Sequence, residues 1–321
     1  MMRYSFAILL LCFAACAGSN DKKDTPVSNV EKNILDSTYQ WVKITDSAPW
    51  KKSYNFQMFT VHDTAWVFHP DGNWYSVDGK NWIKSPLPNA IDNLAFLDYI
   101  YFSDAMYGLG HFEGNIEQFS FKPEIYKSTD LKQWAIISSQ SNLPNRFFYH
   151  PFVFDHKIWI ISGEDKTTKY ADIWNSTDAV NWLKQKDTIP MGAKSGAQVV
   201  VFKGKLFLLD NDVWSSTDGL NWQQVTPEIA KGERLVGYTP VVYDNRIWLL
   251  GCNRNGSFNS QVLVSEDGKN WLGQSAPWSP RGGIAATVFN NKIYITGGKY
   301  GGTPDHTEFI YSNDIWALQK K

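Results

Sequence analysis

The sequence predicts an all-β protein, a six-bladed β-propeller of four-stranded antiparallel blades, whose ring is closed by the N-terminal strand. Three observations predict this fold. A Ser-x-Asp motif followed by Trp recurs five times, and an apolar hairpin pattern recurs six times. The chain then ends one strand short of a sixth complete repeat. Self-similarity at a spacing of about 40–50 residues is typical of four-stranded propeller blades.

The Ser-x-Asp motif predicts a tight turn between two strands. In each copy a Trp follows the Asp by four residues, and the Trp residues are Trp82, Trp134, Trp182, Trp222 and Trp271. Ser and Asp side chains accept hydrogen bonds from nearby backbone amides, and Gly79, Gly219 and Gly268 allow positive φ. Aromatic and β-branched residues on both sides favour strands. We therefore predict a hairpin that joins the third and fourth strands of each blade.

The apolar pattern predicts the first two strands of each blade. Its six copies read TVHDTAWVF, AFLDYIYFS, FVFDHKIWII, VVFKGKLFLL, VVYDNRIWLL and TVFNNKIYIT. Each is a pair of apolar runs around a turn sequence that suits a β-hairpin. Both faces of these runs are apolar, as expected for strands between neighbouring blades.

The two chain ends together supply the sixth blade. Residues 313–317 align with the third strands of other blades, and the chain stops at residue 321, one strand short. Residues 39–46 align with the fourth strands that begin at Trp82 and Trp271. The N-terminal strand should complete the last blade, which removes the unpaired edges of an open array.

These repeats resemble known propeller families over residues 55–317. An apolar run followed by Gly297-Gly298 resembles the kelch repeat, and the Ser-x-Asp turn resembles the Asp-box of sialidases with one residue fewer before the Trp. The resemblance implies that the turns are structural. The repeat assigns the fifteen Trp residues to packing positions and leaves Trp50 and Trp278, near a loop, as candidate ligand platforms.

The N-terminus predicts export and lipid anchoring. A positive start and a short apolar run precede Ala14-Ala15-Cys16, which resembles the lipobox of bacterial lipoproteins. We expect residues 1–15 to be a signal peptide, 16–36 to comprise the lipidated Cys16 and a polar tether, and 37–321 to form the propeller. Acyl chains on Cys16 would hold the protein at a membrane of the bacterial cell envelope, with the propeller extracytoplasmic.

Composition excludes several other functions. The net charge is −1 and the 31 Lys and Arg residues are spread along the chain, so no nucleic-acid partner is expected. No His or Cys residues have metal-ligand spacing, and no phosphate-binding loop is present, so we expect no metal and no cofactor. Cys252 is the one cysteine of the predicted propeller, which rules out an internal disulfide there. We expect a monomer.

Topology places a candidate site on the face with the long loops, which are residues 110–123, 163–170, 253–261 and 298–308. Basic residues precede four inner strands at this face: Arg146, Lys194, Arg234 and Arg281. Together with His150 and Glu164 they predict a basic mouth that favours an anionic ligand. The alternative is that these cations belong to the repeat itself and only bond loop carbonyls.

Three functions follow as alternatives. The first is a binding module for a glycan or protein ligand on the long-loop face, because no catalytic signature is present. The second is a glycan-active enzyme, since six kelch blades resemble the sialic acid mutarotase family; Glu164 with Arg146 or Arg234 would then be the catalytic pair. The motifs that sialidases and galactose oxidases require are absent from this sequence. The third is an envelope scaffold without a small ligand.

Overall fold

The computed structural model describes residues 37–86, 97–114, 119–302 and 307–321. The predicted signal peptide, Cys16 and the tether lie outside these residues. Among the described residues, no helix is long and apolar enough to cross a membrane.

Strands account for the regular structure of the described residues. In chain order they are β1 (Tyr39–Thr45), β2 (Gln57–Val61), β3 (Thr64–His69), β4 (Gly72–Ser76), β5 (Ile83–Lys84), β6 (Asp98–Phe102), β7 (Ala105–Leu109), β8 (His111–Gly114), β9 (Phe119–Lys122), β10 (Ile125–Ser128), β11 (Ala135–Ser138), β12 (Phe152–Phe154), β13 (Lys157–Ile161), β14 (Ile173–Ser176), β15 (Leu183–Lys186), β16 (Gln198–Phe202), β17 (Lys205–Leu209), β18 (Val213–Ser216), β19 (Gln223–Thr226), β20 (Leu235–Val236), β21 (Thr239–Tyr243), β22 (Arg246–Leu250), β23 (Cys252–Arg254), β24 (Ser257–Asn259), β25 (Gln261–Ser265), β26 (Leu272–Ser275), β27 (Ala285–Phe289), β28 (Lys292–Thr296), β29 (Lys299–Tyr300), β30 (Ile310–Tyr311) and β31 (Ile315–Lys320).

The described strands form six four-stranded antiparallel sheets. Their orders are β2-β3-β4-β5, β6-β7-β10-β11, β12-β13-β14-β15, β16-β17-β18-β19, β21-β22-β25-β26 and β27-β28-β31-β1. The first strands of neighbouring sheets contact one another, which places them innermost. In the last sheet β1 pairs with β31, Tyr39 opposite Lys320 and Trp41 opposite Leu318, which is the pairing that the sequence predicts.

The core lies between the sheets. Six clusters of buried side chains are present among the described residues, and each joins two sheets. Five join sheets that follow one another in the chain. The sixth joins the last sheet, through Ala285 and Ile315, to the first sheet, through Met58 and Val67. Apolar runs buried on both faces are needed for this arrangement, and this is why the inner hairpins lack polar alternation.

The five Ser-x-Asp turns have the predicted chemistry. In the fourth sheet, Asp218 Oδ1 accepts hydrogen bonds from the backbone amides of Leu220 and Asn221, both at 2.8 Å. Trp222 Nε1 donates to the carbonyl of Gly219, which has a φ of 75°. A Cβ at Gly219 would lie 3.2 Å from the ring of Trp159 in the preceding sheet. Each turn is thus closed by its own side chains and rests on the neighbouring sheet.

Insertions occur on the opposite face, where the long loops were expected. Three of them contain extra strands, namely the hairpins β8–β9, β23–β24 and β29–β30. The short β20 pairs with β23. The corresponding connections of the first and fourth sheets, at residues 70–71 and 210–212, are short. This face is called the long-loop face below, and the face that carries the Ser-x-Asp turns is called the turn face.

Candidate functional site on the long-loop face

Arg146, the first residue of the predicted basic mouth, is buried. Its guanidinium bonds both carboxylate oxygens of Asp172, at 2.7 and 3.1 Å, and the carbonyl oxygens of Pro144 and Ser162. The ring of Tyr170 covers it at 4.1 Å. A bidentate pair of this kind neutralises the charge and fixes its direction. The expectation that Arg146 presents a free cation to a ligand is therefore corrected.

Arg281 has the same surroundings in the last sheet. It is buried, bonds both oxygens of Asp314, and donates to the carbonyls of Ser279 and Gly297. Lys194 lies between Asp210 and Asp212, at 3.0 and 2.9 Å. The interpretation that these cations belong to the repeat, which the sequence left open, describes all three.

Sequence spacing contains a signal for these pairs. Arg146, Lys194 and Arg281 each lie eight residues before the aromatic residue that ends an inner strand. Their acids precede a Trp by two residues, and the indole N–H of that Trp donates to the same carboxylate in Trp174, Trp214 and Trp316. A cation, an acid and a Trp therefore recur together as one repeated unit.

Arg234 departs from this pattern. It lies nine residues before Tyr243, and Gln261 stands where the three sheets just described have the acid. Arg234 is exposed, and its backbone forms two hydrogen bonds with Asn255, at 2.8 and 3.0 Å. The structure places it beside β20, in a different sheet from Glu164.

Glu164 contacts Lys169, with 3.8 Å between the carboxylate and the ammonium. Its backbone bonds that of Phe147 at 2.9 Å in both directions. Glu164 is therefore held beside Phe147, the residue that follows buried Arg146. Its carboxylate is directed to Lys169 of its own loop. The structure gives no shared site for the predicted pair of Glu164 and Arg234.

His150 belongs instead to a polar collar around the inner strands. Gln57, Asp98, Gln198 and Thr239 are the first residues of their inner strands, and His150 precedes β12 by two residues. His150 Nδ1 lies 3.8 Å from Asp98 Oδ1, and Gln57 Nε2 donates to the same oxygen at 3.3 Å. Burial raises the pKa of Asp98 well above its ordinary value. Desolvation lowers the pKa of His150 to about 4, although 40% of its side chain is accessible from the mouth.

A second group of side chains on this face was not predicted. The partly exposed rings of Tyr54, Phe258, Tyr300, Phe309 and Tyr311 lie in the same group of loops as Lys299, and we call these six residues the aromatic–lysine cluster. Tyr54 stacks on Tyr311 with ring centroids 5.6 Å apart, and Phe258 meets Tyr300 at 6.3 Å. Lys299 Nζ lies 4.5 Å from the centre of the Tyr54 ring and 4.6 Å from that of Phe309.

The cluster is assembled from the loops of three sheets. Phe258 lies on the β23–β24 hairpin, Lys299 on the β29–β30 hairpin, and Tyr54 before β2. Backbone bonds hold Tyr54 in place, because Asn55 donates to Gly283 at 3.0 Å and Gly298 donates to Ser53 at 3.0 Å. The sequence signal was weak, because it consists of aromatic residues in three loops outside the repeat.

Trp50 and Trp278, the candidate platforms of the sequence, are both buried, with 2% and 3% exposure. Trp50 packs edge-on against Trp82, and Trp278 against Trp41. They are core residues, so their expected availability to a ligand is corrected. Within the described ranges, no group of three His, Cys, Asp or Glu side chains is placed to hold a metal ion.

Comparison with known proteins now adds to this geometry. A family model described as the DUF6242 beta propeller domain matches residues 129–241, less than half of the chain. The solved structure of YjhT is similar with a TM-score of 0.68 at 12% identity, covering 86% of this chain and 97% of that chain. The fold is a β-propeller. At this identity the likeness to YjhT concerns the fold alone, and no curated protein matches the chain.

Proposed function

We propose that the protein is a lipoprotein of the bacterial cell envelope, anchored through Cys16, whose six-bladed propeller binds carbohydrate on its long-loop face. The Ala14-Ala15-Cys16 sequence and the polar tether support the anchor. The six described sheets and the pairing of β1 with β31 support the closed ring. A lipid anchor followed by a tether places the binding face away from the membrane surface.

The aromatic–lysine cluster carries this proposal. Binding sites combine apolar and aromatic surface with a few polar groups that set orientation. A sugar ring presents an apolar C–H face to an aromatic ring, and its hydroxyl groups to polar neighbours. Five partly exposed rings in the loops of three sheets, two of them against one ammonium group, supply that combination on a single face. By contrast, many Trp residues of this propeller are buried in the core and serve packing.

A glycan array followed by calorimetry tests the proposal. The parent protein should bind a glycan, and Tyr54→Ala should weaken binding about tenfold, or about 1.4 kcal/mol, because one stacking surface is lost. Tyr101→Ala is the matched control, since Tyr101 is partly exposed near the turn face. Absence of glycan binding, or equal losses in both variants, would contradict the proposal and favour the scaffold alternative.

The Asp98–His150 pair favours a second candidate, a glycan-active enzyme of the mutarotase type. Proton transfer to and from a sugar needs an acid and a base within reach of the substrate. At the mouth of the collar, Asp98 with its raised pKa is an acid and His150 with its lowered pKa is a base. The pair replaces Glu164 and Arg234 as the catalytic candidates.

Anomer interconversion followed by NMR on sialic acid and on neutral sugars tests this candidate. Turnover by the parent that is abolished in His150→Gln and in Asp98→Asn would support the enzyme. Glu164→Gln serves as the control and should retain the parent rate. A parent protein that binds glycan without accelerating interconversion would exclude this candidate and leave the binding module.

A further inference from the structure

Lys299 differs from four other cations on the long-loop face, Arg146, Lys194, Arg254 and Arg281. Each of those has a carboxylate partner: Arg146 with Asp172, Lys194 with Asp210 and Asp212, Arg254 with Glu233, and Arg281 with Asp314. Lys299 has two aromatic rings instead. Within the described part of the chain, no carboxylate lies within ion-pair distance, 4.0 Å, of its ammonium.

The position of this ammonium is fixed by its surroundings. The backbone of Lys299 exchanges two hydrogen bonds with that of Gly282, at 2.9 and 3.0 Å. Tyr54 and Phe309 lie against the ammonium, and such cation–π contacts stabilise the ammonium more strongly where it is desolvated. Desolvation lowers the pKa of Lys299, and no acid among the described residues opposes this effect. The charge is held in place, and no carboxylate of the described ranges neutralises it.

The backbone under the rings of Phe258 and Tyr54 consists of glycine residues without side chains. A Cβ at Gly282 would lie 2.8 Å from the ring of Phe258, and one at Gly283 would lie 3.0 Å from that of Tyr54. The two rings therefore rest directly on the glycine backbone, on either side of the Gly282–Lys299 contact. A ligand ring that stacks on Tyr54 or Phe309 would carry its substituents next to the ammonium.

We propose that Lys299 forms an ion pair with the carboxylate of an acidic sugar, of the uronic acid class, whose ring stacks on the aromatic–lysine cluster. This inference rests on the proposed glycan-binding function and names its ligand class. A fixed cation with no acid beside it in the described part of the chain is complementary to an anion, and a charge-assisted bond to a carboxylate is stronger than one to a hydroxyl. One ammonium against two rings suits a sugar acid better than an acidic peptide, whose charges would need several cations.

Calorimetry on the full chain tests the inference with two matched probes, an oligogalacturonate and its methyl ester. The acid should bind at least tenfold more tightly than the ester, and added salt should reduce this difference. Lys299→Met should remove the preference for the acid while the affinity for the ester stays the same. Lys299→Arg should retain the preference, and Lys205→Met, an exposed lysine near the turn face, should change neither affinity.

The outcomes separate the inference from the proposed function. Equal affinity for acid and ester, or an unchanged preference in Lys299→Met, overturns the role of Lys299 while glycan binding stands. Tighter binding of a sulfated galactan or of a poly-glutamate peptide overturns the ligand class. Failure to bind any glycan overturns the proposed function itself. The ratio of the affinities for the acid and the ester can be measured in the parent protein without a variant. It therefore tests the inference even if Lys299→Met does not fold.

Discussion

The two faces of the propeller are built from interactions of different range. On the turn face, each Ser-x-Asp turn is closed by hydrogen bonds within about six residues of chain, and the same bonds recur five times. On the long-loop face, Arg146 reaches Asp172, Arg281 reaches Asp314, and the aromatic–lysine cluster draws on three sheets. Uniform local turns hold the sheets in register, and the varied loops opposite them are free to form a binding surface.

The largest effect on stability is expected from the buried pairs of the long-loop face. Arg146→Met leaves the carboxylate of Asp172 buried with the indole of Trp174 as its remaining side-chain donor. Removal of one partner of a buried ion pair costs about 3–5 kcal/mol, because the other charge is left uncompensated. Urea unfolding of the purified variant measures this loss.

Two further variants sharpen this prediction. Arg146→Met combined with Asp172→Leu removes both charges. The free energy of unfolding of this double variant should be closer to that of the parent than that of the single variant is. Lys205→Met, at an exposed lysine, should unfold with the parent. If Arg146→Met alone were as stable as the parent, the guanidinium would be available for a ligand, and the basic mouth would regain support.

The contrast between the faces also explains how far the sequence could be interpreted. The repeated sheets and the turns were predictable because their determinants, such as Asp218 and Trp222, are neighbours in the chain. The burial and pairing of Arg146 were not predictable, because the acid that neutralises it lies 26 residues away in the chain. That acid is recognised only by its position two residues before Trp174. The aromatic–lysine cluster was missed because its residues occupy loops that do not repeat, and only the folded chain brings them together.

An effect of intermediate size on stability is expected from His69, which lies at the end of β3 on the long-loop face. The imidazole is buried, and its Nδ1 accepts a hydrogen bond from the backbone amide of Asp71 at 3.0 Å. Burial lowers its pKa to about 4, below the value of about 6.5 in an unfolded chain. The folded state therefore favours the neutral form, and the resulting stability is complete above pH 6.5 and is lost as the pH falls toward 4.

The free energy of unfolding should decrease by about 2 kcal/mol between pH 7 and pH 5 because of this group. His69→Asn keeps an acceptor for the Asp71 amide and removes the titration, so its stability should change less over that interval. His156→Asn, at an exposed turn residue, controls for the substitution itself. Equal slopes of stability against pH in the parent and in His69→Asn would show that the imidazole is not desolvated.

The smallest effect is expected on the turn face, from Asp218. Asp218→Ala removes the acceptor for two backbone amides and for the Asn221 side chain, which should cost about 1 kcal/mol, like the loss of a helix cap. Asp218→Asn keeps one carbonyl acceptor and should lose less, and Asp63→Ala, in an exposed turn outside these motifs, is the control.

The hydrogen bonds from Asn221 and Leu220 hold the pKa of Asp218 below its ordinary value. Its contribution is therefore present above about pH 4 and lost as the pH falls further, so the parent and Asp218→Ala should converge in acid. A loss as large as that of Arg146→Met would mean that the turn supports the neighbouring sheet through Trp159 as well as closing its own hairpin, and the two faces would then differ in sequence pattern but not in energetic weight.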